Sequence, residues 1–377
     1  MGIVAGIDDD GLLEYSVVFT DRSLNSMSQQ FQAVMRDISA GLKEVYQADA
    51  VALIPGGGTF AMEAVARQFG HDEDVLVIRN GWFSFRWSEI FEKTDIARNV
   101  QVQCAGPASS SDGHNQFTPF RPADIEAVCS QIEASKPGLV CAPHVETSAG
   151  MILPDDYIRA VADATHKAGG LFVLDCVASG VLFVDMKELG VDVLVTAPQK
   201  GWTSTPCSGV VMMSEAALSK LEGTNSSSYA VDLKKWCAIM QAYENGGHAY
   251  HATLPTDGLK QFRDTIDETR EIGFQAVKEA QIELGRKMRE LTESYGFQSV
   301  SADGFKAPTV IVNFTTDMDM KTGKKFAENG VQIAAGVPLE IGEPDDYMSF
   351  RIGLFGLDKL RDIEGTVNRF RTVLEQL

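Results

Sequence analysis

The sequence predicts an α/β protein: a large domain built on a mostly parallel β-sheet, followed by a smaller C-terminal α/β domain. Three observations lead to this prediction. Short, nearly continuous apolar runs alternate with amphipathic stretches from about residue 50 to residue 215, which is typical of a parallel sheet buried on both faces. A long helix-forming segment and a second, shorter α/β pattern follow. A chain of 377 residues is long enough for two such units.

Each element follows from its local pattern. The apolar runs predicted to be strands of the large sheet are 51–54, 75–78, 139–142, 171–174, 193–196 and 210–213. Amphipathic stretches at 122–135 and 155–168 are predicted to be helices between them. The segment 257–295 is predicted to be one long helix, because strong helix formers and i,i+4 charge pairs fill it. Strands at 309–314 and 348–352 and a final helix from Leu357 complete the pattern. We therefore predict an N-terminal arm over 1–20, a large domain over 21–260 and a small domain over 261–377.

Charge and cysteine usage exclude several classes of function. The net charge of −19 argues against nucleic acid or an anionic membrane as a partner, because both bind clustered lysine and arginine. The longest apolar runs hold four to six residues, whereas a membrane-spanning helix needs about 20. The six cysteines are scattered without a CxxC pair. They indicate reduced thiols in a cytoplasmic protein, and no metal site is expected.

A glycine loop follows the first predicted strand. In a parallel sheet, ligands bind beyond the carboxyl ends of the strands. Gly56, Gly57, Gly58 and Thr59 stand there and open a helix, whose free N–H groups suit a phosphate. An ordinary strand-to-helix turn is the alternative. The loop is not a Walker motif, because no Gly-Lys-Ser/Thr follows, and the dinucleotide fingerprint is incomplete, because Arg79 rather than an acidic residue ends the next strand.

Two charged residues follow later strands of the same sheet. Asp175 comes after strand 171–174, and a carboxylate there is either a cap or ion-pair partner or the partner of a protonated heterocyclic nitrogen. Lys200 comes just after strand 193–196. It is either an ordinary surface lysine or a desolvated amine with a lowered pKa that is free for Schiff-base chemistry. A phosphate loop, an aspartate and a lysine in this order are what pyridoxal 5′-phosphate (PLP) requires.

Seven segments now bear on the family. They are GGGTFAMEA (56–64), NGWFSFR (80–86), HVETSAG (144–150), LDCVAS (174–179), APQKGW (197–202), AYHATLPT (249–256) and FRIGLFG (350–356). In this order they resemble the motifs of the class V aminotransferases of PLP fold type I. The resemblance is strongest to the branch of alanine–glyoxylate, serine–glyoxylate and 2-aminoethylphosphonate–pyruvate transaminases.

The resemblance implies a role for particular residues. Lys200 would form the Schiff base and Asp175 would bind the pyridine nitrogen. The other residues it assigns to the cofactor are Gly57, Gly58, Thr59 and Gln199 at the phosphate, Phe83 and Val177 on the ring faces, and Thr147. Tyr250 and Thr253 would reach the phosphate of the neighbouring subunit, which implies a homodimer with shared active sites. Arg351 would bind the substrate carboxylate, and Arg22 is the counterpart of a family arginine at the substrate entrance.

The resemblance also implies the reaction. It would transfer an amino group between a small amine or amino acid and a 2-oxo acid such as pyruvate or glyoxylate. A PLP lyase on the same scaffold is the alternative; a desulfurase is disfavoured, because no cysteine follows Cys237, and a nucleotide-binding protein is disfavoured by the incomplete fingerprint. The N-terminal segment, Cys207 and Thr59 depart from the family pattern, and they leave the amino donor open.

Overall fold

The computed structural model describes residues 6–9, 11–17, 22–108 and 117–377. The helices are α1 (Gln29–Tyr46), α2 (Gly58–Phe69), α3 (Trp82–Thr94), α4 (Ile125–Ser135), α5 (Asp155–Ala168), α6 (Met186–Leu189), α7 (Glu215–Glu222), α8 (Leu233–Glu244), α9 (Thr256–Ile272), α10 (Phe274–Ser294), α11 (Met318–Lys321), α12 (Lys324–Glu328), α13 (Leu357–Arg361) and α14 (Ile363–Leu374). The strands are β1 (Ala50–Pro55), β2 (Asp74–Arg79), β3 (Asn99–Cys104), β4 (Gly106–Pro107), β5 (Phe120–Arg121), β6 (Leu139–Pro143), β7 (Val145–Glu146), β8 (Met151–Ile152), β9 (Leu171–Asp175), β10 (Val193–Thr196), β11 (Ser208–Met213), β12 (Val310–Phe314), β13 (Ala334–Ala335) and β14 (Ser349–Gly353).

A seven-stranded sheet forms the centre of the molecule. Its strand order is β1-β11-β10-β9-β6-β2-β3. Strand β11 is antiparallel to both its neighbours, and the other pairs are parallel. Every residue of β6 and β9 is buried, which explains why these strands are continuous apolar runs. The predicted α/β fold with a mostly parallel sheet is confirmed.

The structure adds one strand to the predicted sheet. Strand β3 forms an edge and pairs with β2 alone. Its residues are half-buried or exposed, so it lacks the apolar run that marks the six predicted strands. A strand of that kind gives little signal in the sequence, because a half-exposed edge tolerates polar residues.

The predicted long helix is two helices. The break falls at Gly273, whose φ of +103° lies in the region that only glycine adopts readily. Helix α9 packs on α1, whereas α10 packs on β12, α13 and α14. Helix propensity alone therefore did not reveal that the chain changes direction at Gly273. The predicted domain boundary at residue 260 falls inside α9 and stays a prediction.

The C-terminal part contains a three-stranded antiparallel sheet of order β12-β14-β13. The predicted N-terminal arm lies partly outside the described residues. Its described stretches, 6–9 and 11–17, contain no helix or strand, and Leu12, Tyr15 and Val17 are exposed there. Of the helices in the described ranges, none is both long enough and apolar enough to cross a membrane.

Candidate active site

Asp175 and Lys200 meet at one edge of the sheet. Strands β9 and β10 are parallel neighbours, with Asp175 opposite Val195, so the turns that follow them emerge together. Asp175 is 8% exposed, and its Oδ1 accepts a hydrogen bond of 2.9 Å from the Val177 N–H. Burial raises the pKa of Asp175 to about 6; the Val177 N–H and the cationic Arg86 and Lys200 oppose that rise.

The turn that carries Lys200 is anchored in the core. Trp202, two residues on, is 1% exposed, and its ring lies 4.9 Å from that of Phe183 between centroids. Gly201 packs on the backbone of Gly180, where an added Cβ would lie 2.0 Å from the Gly180 oxygen. Burial is the main cause of a lowered pKa of Lys200. A desolvated lysine with a lowered pKa is a stronger nucleophile at neutral pH.

Arg351 and Asp175 act on the same lysine in opposite directions. The guanidinium of Arg351 lowers the pKa of Lys200 further, and the Asp175 carboxylate raises it. Arg351 lies on the central strand of the small sheet, opposite Val312 and Ala334. The tertiary fold therefore brings into one electrostatic environment an aspartate that lies 25 positions before Lys200 and an arginine that lies 151 positions after it.

The glycine loop packs against the turn that follows Asp175. Gly57 is the N-cap of α2 and offers no side chain to the free N–H groups of the helix. A Cβ on Gly58 would lie 2.6 Å from Val177 Cγ2, whereas a Cβ on Gly57 would meet no atom within 4 Å. Thr59 is exposed, and its Oγ1 accepts a hydrogen bond of 3.2 Å from Arg86 Nη1. A helix N-terminus with open space before it and a guanidinium beside it suits an anion.

Two arginines lie close to the ring of Phe83. The guanidinium carbon of Arg86 is 4.7 Å from the centroid of the ring, and that of Arg351 is 5.4 Å away. Arg351 Nε also donates a hydrogen bond of 2.8 Å to the Ala335 oxygen. Burial lowers the pKa of Arg351, and Glu146 and Tyr347 oppose the change. The aromatic face and the two guanidinium groups favour an anionic, planar ligand in this space.

Glu146 is a central residue that sequence reasoning did not identify. It is fully buried, and its carboxylate accepts hydrogen bonds from the backbone N–H groups of Phe83 (3.2 Å) and Ser84 (2.9 Å). These two N–H groups belong to the first turn of α3. The carboxylate also accepts from the Ser84 hydroxyl (2.8 Å) and from the N–H (3.1 Å) and hydroxyl (2.7 Å) of Ser148.

These bonds hold the start of α3, and Phe83 with it. A negative charge at a helix N-terminus is favourable, and its hydrogen bonds replace the side chain that Gly81, the N-cap, lacks. Ser148 completes the arrangement, because its Oγ accepts the Trp82 N–H at 3.0 Å. The available sequence signal was a glutamate in an otherwise uncharged, apolar stretch with no cation nearby. Its partners in α3 lie about 60 positions away, and no spacing rule connects them.

The remaining predicted site residues fall into two groups. Thr147 is buried, and Gln199 Oε1 is a buried oxygen without a hydrogen-bond partner in the described part of the chain. Tyr250 is 66% exposed and Thr253 is also exposed; they line a small cavity of about 80 Å³ whose other walls include the 23–26 segment. No residue that lines this cavity belongs to the cluster around Lys200. Arg22 is exposed and directly precedes that segment; its role in substrate binding stays a prediction.

The residues present fit PLP. The buried Asp175 carboxylate would pair with a protonated ring nitrogen, and the uncapped N–H groups at the start of α2 would donate to a phosphate. The lysine amine stands among them. Within the described ranges, no group of three or more histidine, cysteine or acidic side chains is placed to hold a metal ion.

Comparison with known proteins places the chain in a family. The family profile "Aminotransferase class-V" matches residues 12–338. The chain is 29% identical over 343 residues to a 2-aminoethylphosphonate–pyruvate transaminase of Paraburkholderia phymatum, covering 89% of this chain and 84% of that protein. It is 28% identical over 365 residues to one of Burkholderia pseudomallei, covering 94% and 92%.

Solved structures share the fold. An alanine–glyoxylate aminotransferase from Nostoc sp. superposes with a TM-score of 0.78 at 21% identity, covering 94% of this chain and 88% of that one. A pyridoxamine–pyruvate aminotransferase from Mesorhizobium loti superposes with a TM-score of 0.71 at 18% identity, covering 93% and 89%. The fold is thus PLP fold type I. Together with the family profile, this similarity leads to one conclusion: the chain belongs to the class V aminotransferases, a family of PLP-dependent enzymes.

Proposed function

We propose that this enzyme transfers an amino group from a small anionic amine to a 2-oxo acid such as pyruvate or glyoxylate, with Lys200 as the covalent anchor of PLP. One observation carries the proposal: the half-buried Lys200 lies at the same sheet edge as Asp175, with Phe355 5.1 Å from its Nζ, and its pKa is lowered by burial and by Arg351 and Arg86. Amino transfer between anionic substrates needs an amine with a lowered pKa, a carboxylate at the end of a strand and cationic groups that bind the substrates. Lys200, Asp175 and the two arginines are groups of these kinds.

The residues that would hold the cofactor follow from this arrangement. The N-terminus of α2 at Gly57 and Gly58, with the hydroxyl of Thr59 and the amide N–H group of Gln199, would hold its phosphate. Its ring would lie between Phe83 and Val177, with Asp175 at its nitrogen and Thr147 at its edge. When bound, the group supplies an electron sink that makes the substrate α-carbon acidic.

The protein's own groups carry the proton and orient the substrates. Lys200 Nζ would accept the proton from the substrate α-carbon as a general base and later return it as a general acid. Burial and the guanidinium groups of Arg351 and Arg86 lower its pKa, which favours the uncharged amine that a base requires. Asp175 contributes a carboxylate that favours a protonated ring nitrogen beside it.

Two guanidinium groups would select the substrates by charge. Arg351 would bind the carboxylate of the oxo acid, because a planar guanidinium pairs with it bidentately. The guanidinium carbon of Arg86 is 4.7 Å from the centroid of the Phe83 ring. Arg86 would bind an anionic group of the cofactor or of the amino donor. The curated relatives bear the name 2-aminoethylphosphonate–pyruvate transaminase, which supports an aminoalkylphosphonate or small amino acid as donor and pyruvate as acceptor.

The proposed assembly is a homodimer with shared active sites. Tyr250 and Thr253 lie on the exposed surface of a single chain, as do Phe60 (52% exposed) and Tyr229 (76%). A second copy covering this surface would bury the aromatic side chains. It would also bring Tyr250 and Thr253 of the first copy close to the Lys200 of the second. Mixing inactive Lys200→Ala subunits with Thr253→Ala subunits should restore about a quarter of wild-type activity if sites are shared, since half of the dimers then carry one intact site.

We also propose a cytoplasmic location, in keeping with six unpaired cysteines.

The deciding experiment is a half-reaction screen. Purified protein with PLP is mixed with single amines, without oxo acid, and the conversion of the bound cofactor is followed by its visible absorption. Wild-type protein should convert stoichiometrically with an anionic amine, and Lys200→Ala should not convert. The exposed Lys235 provides a matched control, and Lys235→Ala should behave as wild type. Turnover in Lys200→Ala, or release of ammonia in place of amino transfer, would contradict the proposal.

Arg351→Ala tests acceptor binding separately. It should raise the KM for pyruvate by about 30-fold or more, because a charge-assisted hydrogen-bonded pair is worth about 2 kcal/mol or more. Arg361, which pairs with Glu268 at 2.8 Å and is exposed, is the control, and Arg361→Ala should leave KM unchanged. An unaltered KM in Arg351→Ala would remove this residue from substrate binding.

A further inference from the structure

Thr203 has an unusual backbone conformation. Its φ is +58°, in the left-handed region. The other non-glycine residues of the described ranges with positive φ are Gln47, Asp72, Asp95, Lys136 and Glu340, none of which is branched at Cβ. A β-branched residue is strained in this region, and such strain persists only where the surrounding structure enforces it.

Thr203 connects two segments that are distant in sequence. Its N–H donates a hydrogen bond of 3.1 Å to the oxygen of Lys200 and so closes the turn that carries the lysine. Its Oγ1 accepts a hydrogen bond of 3.2 Å from the Leu357 N–H, 154 positions later. Leu357 begins α13, directly after the segment 353–356 that leaves β14, the strand of Arg351.

The same segment lies over the lysine. The ring centroid of Phe355 is 5.1 Å from Lys200 Nζ. The segment is held from the other side as well, because the Leu354 N–H donates to the Thr309 oxygen at 2.9 Å. Phe355 packs against a cluster of buried hydrophobic residues that includes Val310 and Val312 of the small sheet. An aromatic ring at this distance interacts with the ammonium group and keeps water from it.

We propose that Thr203 is a positioning residue whose hydroxyl holds the 353–357 segment on the Lys200 turn, so that one hydrogen bond places Phe355 over the lysine and Arg351 over the substrate. The strained backbone is the conformation in which the N–H closes the lysine turn while the hydroxyl faces Leu357. The inference rests on the proposed function, because it presumes that Lys200 and Arg351 act together.

Three substitutions separate the hydroxyl from the strain. Thr203→Val keeps the branched shape and removes the hydroxyl. Thr203→Ser keeps the hydroxyl, and Thr203→Gly removes both the hydroxyl and the strain. Lys136→Gly is the matched control, because Lys136 is also a non-glycine residue at positive φ (47°), at the C-cap of α4 and exposed.

Each variant is measured in three ways: thermal unfolding without cofactor, the dissociation constant of PLP from its visible absorption, and kcat and KM for pyruvate. In Thr203→Val we expect PLP binding to weaken about fivefold and kcat/KM for pyruvate to fall about five- to tenfold, since one hydrogen bond of ordinary strength is lost. Thr203→Gly should show the same functional losses with a thermal midpoint close to that of wild type, because relief of strain offsets the lost bond. Thr203→Ser and Lys136→Gly should keep wild-type binding and kinetics.

Two results would overturn the inference. One is wild-type PLP binding and kinetics, within twofold, in Thr203→Val. The other is an equal defect in Thr203→Ser and Thr203→Val, which would mean that the hydroxyl is not responsible. Lys200→Ala, run in parallel, distinguishes this failure from that of the proposed function: if it turns over like wild type, the function assigned to Lys200 is wrong, whereas if it is inactive only the role of Thr203 falls.

Discussion

Replacing Glu146 with glutamine tests whether a buried carboxylate holds the start of α3. Glutamine has the same shape, but its amide nitrogen cannot accept hydrogen bonds. Whichever way the amide turns, it faces at least one buried backbone N–H, that of Ser84 on one side or those of Phe83 and Ser148 on the other. At least one donor is then left unsatisfied in a region closed to water.

The expected loss can be worked out from these contacts. A buried donor without a partner costs about 1–3 kcal/mol, and losing a negative charge at a partly buried helix N-terminus costs about 1 kcal/mol more. Glu146→Gln should therefore lower the free energy of unfolding by about 2–4 kcal/mol, measured by urea denaturation of the cofactor-free protein. PLP binding should weaken about tenfold, because Phe83 stands in the turn that the carboxylate holds.

Asp124 provides the control, because it caps α4 through the Glu126 N–H at 3.1 Å but is exposed. Asparagine caps a helix as well as aspartate does, so Asp124→Asn should change the free energy of unfolding by less than about 0.5 kcal/mol. If Glu146→Gln were as stable as Asp124→Asn, the carboxylate would not hold the helix, and the assignment of Glu146 as a positioning residue would be refuted.

Two further predictions concern the cofactor-free protein. The pKa of Asp175 is 3.8 unperturbed and about 6 when folded; a raised carboxyl pKa means that ionisation disfavours the fold, so stability is lost as pH rises from about 4 to about 6, by about 3 kcal/mol in total. Asp175→Asn should therefore be more stable than wild type at pH 7 by up to this amount and equal to it below about pH 4, measured by denaturation of both proteins across that range; a difference independent of pH would contradict the shift. Gly58→Ala should destabilise the protein by about 1–3 kcal/mol, because its Cβ would overlap a neighbouring side chain at 2.6 Å, whereas Gly57→Ala, which meets open space, should change stability little; equal thermal midpoints for the two would disprove the close packing of this loop.

The fold class and much of the candidate site could be predicted from the sequence alone. Strands that are buried on both faces must be apolar along their whole length, so the runs at 171–174 and 193–196 identified β9 and β10 without knowledge of their neighbours. Parallel strands end at one edge of their sheet, and for this reason Asp175 and Lys200 could be expected together. Patterns of this kind can be recognised in the sequence because the burial of each strand residue can be predicted from its neighbours in the same segment.

Other features depended on contacts between distant segments. The edge strand β3 is half-exposed, so its residues gave no apolar run, and the break at Gly273 is decided by which units α9 and α10 pack against. Tyr250 and Thr253 are exposed on the single chain and lie outside the cluster around Lys200, so their predicted contact with the cofactor depends on the proposed homodimer.

The sequence determined that a lysine and an aspartate would stand at the end of a buried sheet, in a chain whose motifs are those of a PLP enzyme. Only the tertiary structure decided what surrounds them. Glu146 reaches α3 across about 60 residues, and Thr203 reaches Leu357 across 154. Hydrogen bonds of this kind depend on the relative placement of whole elements, which is set by packing throughout the molecule and leaves no periodic trace in the chain.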